Sequence, residues 1–379
     1  MKRLAILSTH PIQYNAPLFR LIAAEPDIEL KVFYSKVTEE VRFDKDFGQE
    51  VTWDIPLTEG YVYESFAASE SAALQTLIAG IEDFAADAIL VFGWNFEGHF
   101  AVMKHFKGRV PVWFRGDSTL IDPLPLWKRI ARKLWLRHVY RHVDKAFYVG
   151  QANYRYYRWC GLQESQLVYA PHAVDNDFFM KDDEERHARA LEIRAELGIP
   201  KEAFVFLFVG KLESKKQPLE LARAFMHMQF QGDRGAHLIY VGSGQLEHEL
   251  RAMTKDTQNI HLLGFKNQSE MPIWYRVANT LCLPSKGPSE TWGLAVNEAM
   301  ACGCSAMVSD RVGCAEDLVA PFDLSRVLSF DDVSSWSAAM RHAAAHPDQN
   351  RSHLKPQTQI RAFSYSSILS SIKSQLHAQ

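Results

Sequence analysis

The stretch GPSETWGLAVNEAMACGC, residues 287–304, carries two carboxylates, Glu290 and Glu298, on either side of a glycine-containing turn. An ionised carboxylate only accepts hydrogen bonds, so hydroxyl-rich ligands suit it and phosphates are repelled. Thr291, Trp292, Gly293 and Leu294 stand between the two. A helix opening here would offer unpaired backbone N–H groups and the positive end of its dipole to an anion, and Gly293 would let the backbone come close to it. If residues from 291 onward are helical, the rise between the carboxylates is about 12 Å, with both on neighbouring faces. That reach fits a ligand with hydroxyls at both ends and a diphosphate between. The same residues also fit a structural explanation, with Ser289-Glu290 as a capping device and Glu298 as a solvated helix residue.

Further polar residues sit where strand-like runs end. GKLESKK (210–216) brings together Gly210, Lys211 and Lys216, which suits either a bound anion or a solvated turn. VGSGQ (241–245) holds Gly242 in a strand-to-helix turn. In the N-terminal half, STHPIQYNAPLF (8–19) presents His10 and Gln13, FGWNFEGH (92–99) presents Trp94, Asn95 and Glu97, and WFRGDST (113–119) presents Arg115 and Asp117. Arg115 suits an anionic acceptor or a diphosphate, and Asp117 suits orienting an acceptor hydroxyl or taking its proton. A structural ion pair between Arg115 and Asp117 is the competing arrangement.

Such residues need strand ends to position them. Short apolar runs alternate with helical patterns at 3–8, 29–34, 88–92, 111–114, 145–149 and 166–170, and again at 204–210, 237–242, 260–264, 280–284, 305–309 and 326–330. Continuous apolar strands separated by helices predict parallel sheets covered on both faces. At 379 residues the chain exceeds what one core organises. Near 171–200 the pattern breaks into a proline turn and a charge-dense stretch, the expected interdomain connection. The expected architecture is α/β, with doubly wound Rossmann-like domains at 1–175 and 176–355 and a helix at 356–379 that either returns to the first domain or packs on the second. Two such domains facing each other would leave a ligand cleft at the carboxyl ends of their strands.

Composition narrows the classes. A 47% hydrophobic fraction and a net charge of -3 supply two cores and argue against disorder or a general nucleic-acid surface. Cys160, Cys282, Cys302, Cys304 and Cys314 read as reduced, buried thiols, and the spacing of the last three lacks the second half of a zinc site. The N-terminus runs straight into a strand without a secretory pattern, and no run reaches the roughly 18 apolar residues that span a bilayer. A cytoplasmic protein is expected. The basic run 125–147 sets seven Lys or Arg residues against Asp144 alone, with Trp127, Leu134, Trp135 and Leu136 interleaved. It suits either a helix resting on the anionic inner face of a membrane or a surface helix whose aromatics enter the core.

LPSKGPSETWGLAVNEAMACGCSAMVSDRVGCAEDL (283–318) resembles the signature of the retaining, two-domain GT-B glycosyltransferases of family four, in which E-x7-E is followed by E-A-M-A-x-G. Segments 208–225, 238–250 and 260–285 resemble the family in the same order, and PHAVDNDFF (171–179) resembles its hinge. The resemblance implies that Glu290 accepts hydrogen bonds from donor-sugar hydroxyls and Glu298 from ribose hydroxyls. Lys211 and Lys216 would neutralise the diphosphate, Lys211 standing where the family has arginine and lacking its bidentate fork. Phe265 would lie near the nucleobase, or else in the core. The N-terminal half departs from the pattern: the first loop lacks the usual glycine pair, and Arg115 and Asp117 stand near the place of a histidine. The implied reaction moves a sugar, with retention and without a metal, from a UDP- or GDP-sugar to a hydroxyl of a glycan, lipid-linked, lipopolysaccharide or capsule-type acceptor. Two other classes share the features: an epimerase, which needs no acceptor, and a module that binds a nucleotide-sugar without turnover.

Overall fold

The computed structural model describes the chain apart from residues 37–41, 45–48, 52–53, 68–70, 97, 182–183, 233–234, 323–324, 347–353 and 379, so Glu97 lies outside the described residues. The strands are β1 (Lys2–Ser8), β2 (Ile28–Tyr34), β3 (Arg42–Asp44), β4 (Gln49–Val51), β5 (Val62–Ser65), β6 (Ala88–Phe92), β7 (Val112–Arg115), β8 (Lys145–Tyr148), β9 (Leu167–Tyr169), β10 (Val205–Val209), β11 (His237–Val241), β12 (Ile260–Leu262), β13 (Thr280–Leu283), β14 (Ser305–Ser309) and β15 (Arg326–Leu328). Every apolar run singled out above overlaps one of them. The chain forms two compact units, one of Met1–Glu40, Ile55–His172 and Ser364–Gln379, the other of Val41–Asp54 and Ala173–Phe363. The division falls at 172/173, and the segment belonging to the first unit begins at Ser364.

In the first unit a parallel sheet runs in the order β5-β2-β1-β6-β7-β8-β9. Leu4 to Leu7 and Ile89 to Val91 are almost completely buried, as strands covered on both faces must be. The helix Tyr365–His377 belongs to this unit. Its Ser364 cap accepts from Ser367 N at 3.2 Å, Ile368, Leu369, Ile372 and Leu376 are buried, and Tyr365 donates to Tyr14 O at 2.9 Å.

In the second unit a parallel sheet runs β12-β11-β10-β13-β14-β15. Phe206, Phe208, Phe225, Leu238 and Tyr240 belong to its core. Within the charge-dense stretch, Asp175 caps helix Asn176–Met180, and helix Glu184–Glu196 places Arg194 to donate to Val277 O at 2.9 Å, both in this unit.

Both sheets are doubly wound. From β1 the chain moves outward through β2 and β5, then returns to build β6 to β9 on the other side; from β10 it moves through β11 and β12, then returns to β13. Each reversal leaves two neighbouring strands with loops leading to opposite sides, the crevice where open α/β sheets bind ligands.

Candidate functional site

The second unit's reversal point lies between β10 and β13, and the loops that follow these strands, 210–217 and 284–293, are tied together there. Lys286 N donates to Lys215 O at 2.8 Å, and Lys286 Nζ to Ser214 Oγ at 2.9 Å. Buried Gln217 turns its amide nitrogen toward Pro284 O at 2.6 Å and Phe330 O at 2.9 Å. At the centre, Lys216 Nζ pairs with Glu290 Oε2, which also accepts from the fully buried Ser285 Oγ at 2.9 Å. Both bonds end on Oε2; among the described residues no hydrogen bond ends on Glu290 Oε1. The pair therefore combines an oriented cation with a carboxylate oxygen able to accept from a ligand.

Neighbouring loops complete the rim. Gly210 N donates to Val241 O at 3.0 Å and Gly242 N to Gly264 O at 2.8 Å, aligning the ends of β10, β11 and the turn that holds half-buried Phe265. Gly242 has φ 135°, and a Cβ there would stand 2.0 Å from Gly210 O, so no other residue fits. Lys211, second in the loop after β10, is half-buried.

The helix starts later than the sequence suggests. It runs Leu294–Ala301 with Gly293 as its cap at φ 98°, so Thr291 and Trp292 precede it, and the helical rise drawn from residue 291 does not apply. Trp292 turns inward: it is 3% exposed, its indole donates to Asn297 Oδ1 at 2.8 Å, and it packs against Phe363, so only its backbone remains at the loop. The loop is braced from behind, where Gly313 N donates to Glu290 O and Cys314 N to Trp292 O, both at 3.0 Å. Any Cβ on Gly313 would meet Thr291 O at 1.7 Å.

Glu298 is 3% exposed, and both of its oxygens carry protein partners, Gln268 Nε2 at 3.2 Å and Tyr275 OH at 2.6 Å. A solvated helix residue is thereby excluded. Gln268 is half-buried, and Glu298 reaches a ligand hydroxyl only where Gln268 yields its place.

In the first unit, half-buried His10 and Gln13 lie in the loop after β1, beside the reversal point, with His10 Nδ1 2.9 Å from Thr9 Oγ1. Half-buried Trp94 packs edge-on against Trp135. Arg115 corrects the anion-binding expectation. It is 6% exposed, its guanidinium donates to Ala170 O at 2.8 Å and Pro171 O at 2.9 Å, and burial lowers its pKa to about 10. Asp117 Oδ2 stands 3.6 Å from His172 Nε2, and burial lowers the His172 imidazole below its ordinary value against the pull of Asp117.

Sequence reasoning missed Ser285, Gln268, Tyr275 and Gly313, none of which forms a pattern with its neighbours, and also His99. His99 is completely buried, with Nδ1 2.9 Å from Gly93 O and Nε2 2.9 Å from Ser35 Oγ. A carbonyl only accepts, so Nδ1 carries the proton and Nε2 accepts from Ser35. All five cysteines are free and buried, and burial raises Cys160 and Cys302 to about 12. Among the described residues no group of three or more His, Cys, Asp or Glu side chains could hold a metal ion.

Residues 190–360, which contain Lys211, Lys216, Glu290 and Glu298, match the family model described as glycosyl transferases group 1. A D-inositol 3-phosphate glycosyltransferase of Catenulispora acidiphila is 32% identical over 161 residues, 39% of this chain and 36% of that protein. The match thus spans about a third of that curated relative's length. Among solved structures, HepE of Anabaena in complex with UDP has TM-score 0.74 at 15% identity, and sucrose-phosphate synthase of Thermosynechococcus elongatus 0.71 at 18%; each match covers 100% of both chains. The fold of this chain is the fold of these GT-B proteins.

Proposed function

Starting from a chain whose residues 190–360 match the model of the glycosyl transferases group 1 family, we propose that it transfers a sugar from a nucleotide-diphosphate sugar to an acceptor hydroxyl, with retention and without a metal. The observation that carries this reading is the Lys216–Glu290 pair at the reversal point, where both hydrogen bonds to Glu290 end on Oε2 and none among the described residues ends on Oε1. As the glycosidic bond breaks, negative charge gathers on the leaving diphosphate. Lys216 and Lys211 supply fixed positive charge there, which stabilises the transition state more than the ground state. Glu290 accepts from sugar hydroxyls and fixes the donor's pose. Glu298, held by Tyr275, accepts from ribose hydroxyls in place of Gln268, and Phe265 lies by the base.

HepE structures hold UDP or UDP-glucose, so a UDP-sugar is the first donor to try and a GDP-sugar the second. The acceptor we propose is a glycan, lipid-linked or polysaccharide hydroxyl.

The test is a thermal-shift panel of UDP, GDP, ADP and their sugar conjugates, run with a chelator, on wild type and Glu298→Gln. At about 100 times its dissociation constant a ligand adds roughly 2.7 kcal/mol of stability. One base family should raise the wild-type melting temperature, with a much smaller rise in the variant. Equal rises in both proteins would remove Glu298 from the donor site, and no rise with any nucleotide would remove the assignment itself.

A further inference from the structure

Helix Leu126–Tyr140 is anchored by its C-terminal end, where Leu136, Val139 and Tyr140 are buried. Ahead of that end, residues 123–132 are all exposed. Its large apolar side chains include Leu126 at 73% exposure, Trp127 at 68%, Ile130 at 52% and Leu134 at 64%. Leu126, Ile130 and Leu134 are spaced i, i+4, i+8, so they form one stripe with Trp127 beside it. Leu136 comes two positions after Leu134, about 200° around the helix at roughly 100° per residue. The stripe thus faces away from the core.

Cations surround it. Lys128 lies over the Trp127 ring at 5.3 Å, Arg129 and Lys133 over Trp159 at 5.9 and 5.7 Å, and Arg132 over Tyr156 at 5.7 Å. No acidic residue falls between Asp122 and Asp144, and among the described residues no carboxylate pairs with these four cations. No helix among the described residues is long and apolar enough to cross a membrane.

We propose that this helix seats the first unit on an anionic lipid bilayer. Leu126, Trp127, Ile130 and Leu134 enter the boundary between headgroups and acyl chains, while the cations meet lipid phosphates. Charge decides between occupants. The chain as a whole carries a net charge of -3, so the basic face is a local asymmetry; a second copy docked on the same face would set its cations against those of the first. An anionic membrane instead satisfies both the apolar stripe and the charges, and it needs no groove.

The test is sedimentation of the full chain with vesicles of phosphatidylcholine alone and of equal parts phosphatidylcholine and phosphatidylglycerol. Wild type should sediment with the anionic vesicles only, and less at high salt. Trp127→Ser/Leu134→Ser and Lys128→Glu/Arg129→Glu should each weaken partitioning by about tenfold or more, with melting temperature unchanged because all four sites are exposed. Brominated lipid should quench part of the tryptophan emission in wild type, and this quenched part should be lost in Trp127→Phe. The proposal is overturned if wild type ignores anionic vesicles, if both double variants bind as wild type does, or if they leave vesicle binding intact and instead break a dimer seen by light scattering. None of these readouts depends on transferase activity, so the two assignments stand or fall separately.

Discussion

Lys216 and Glu290 are each adjacent to a non-glycine residue in the left-handed region, Gln217 at φ 54° and Ser289 at φ 76°. Such positions cost on the order of 1–3 kcal/mol each and persist where the surroundings over-determine them; here the bonds joining the 210–217 and 284–293 loops do so. Replacing Lys216 with Met should lower turnover by roughly 100- to 1,000-fold, the range for losing one preorganised electrostatic contact. The fold should lose about 3 kcal/mol, since the pair is largely buried and Glu290 would be left without its cation. Lys216→Arg should recover part of the rate. Full activity in Lys216→Met would remove the cation from the mechanism. Both residues of the pair were legible as candidates, but their partnership was not, because 74 positions separate them and only the strand order joins their loops. Arg115 misled for a related reason: an arginine at a strand end has the same sequence signature whether it meets a ligand or, as here, two backbone carbonyls.

At the scale of elements, the segment after β14 is a brace for the loop that carries Glu290. Gly313→Ala would drive a methyl into Thr291 O and push the brace off the loop. We expect a loss of roughly 2–3 kcal/mol or more from overpacking against backbone, together with weakened donor binding in the same thermal-shift assay. An unchanged melting temperature with full donor response would show that the brace yields freely. The apolar strands were readable because parallel strands buried on both faces are continuous apolar runs. β5 was not: its residues VYES are mostly exposed and carry no such run. The helix start was placed early because Trp292 looks like the first apolar helical position, whereas it fills a turn and bonds Asn297.

At the scale of the molecule, the first unit is discontinuous in sequence, its last piece being Ser364–Gln379. That piece contributes four buried aliphatic side chains, and Lys373 Nζ reaches Asp27 Oδ1 at 3.1 Å. Burying each aliphatic is worth about 1.5–3 kcal/mol, so deleting 364–379 should lower the melting temperature of the first unit sharply. The second unit should keep its nucleotide response, giving two calorimetric transitions where only one moves. A first transition unmoved by the deletion would mean the helix merely rests on the surface. Helical spacing at Ile368, Leu369 and Ile372 was readable; the partner it covers was not, since periodicity marks a buried face without naming what buries it.

That discontinuity has a consequence for synthesis. A nascent chain that has reached His172 holds all seven strands of the first sheet but lacks the helix Tyr365–His377, which packs on helix Ala16–Ala23 and on β9. At about 5–20 residues per second, the ribosome needs roughly 10–40 s more to reach Ser364. During that interval, while Ala173–Phe363 of the second unit is being made, the apolar surface that Ile368, Leu369, Ile372 and Leu376 will cover is uncovered. The first unit, although translated first, is the last to be completed.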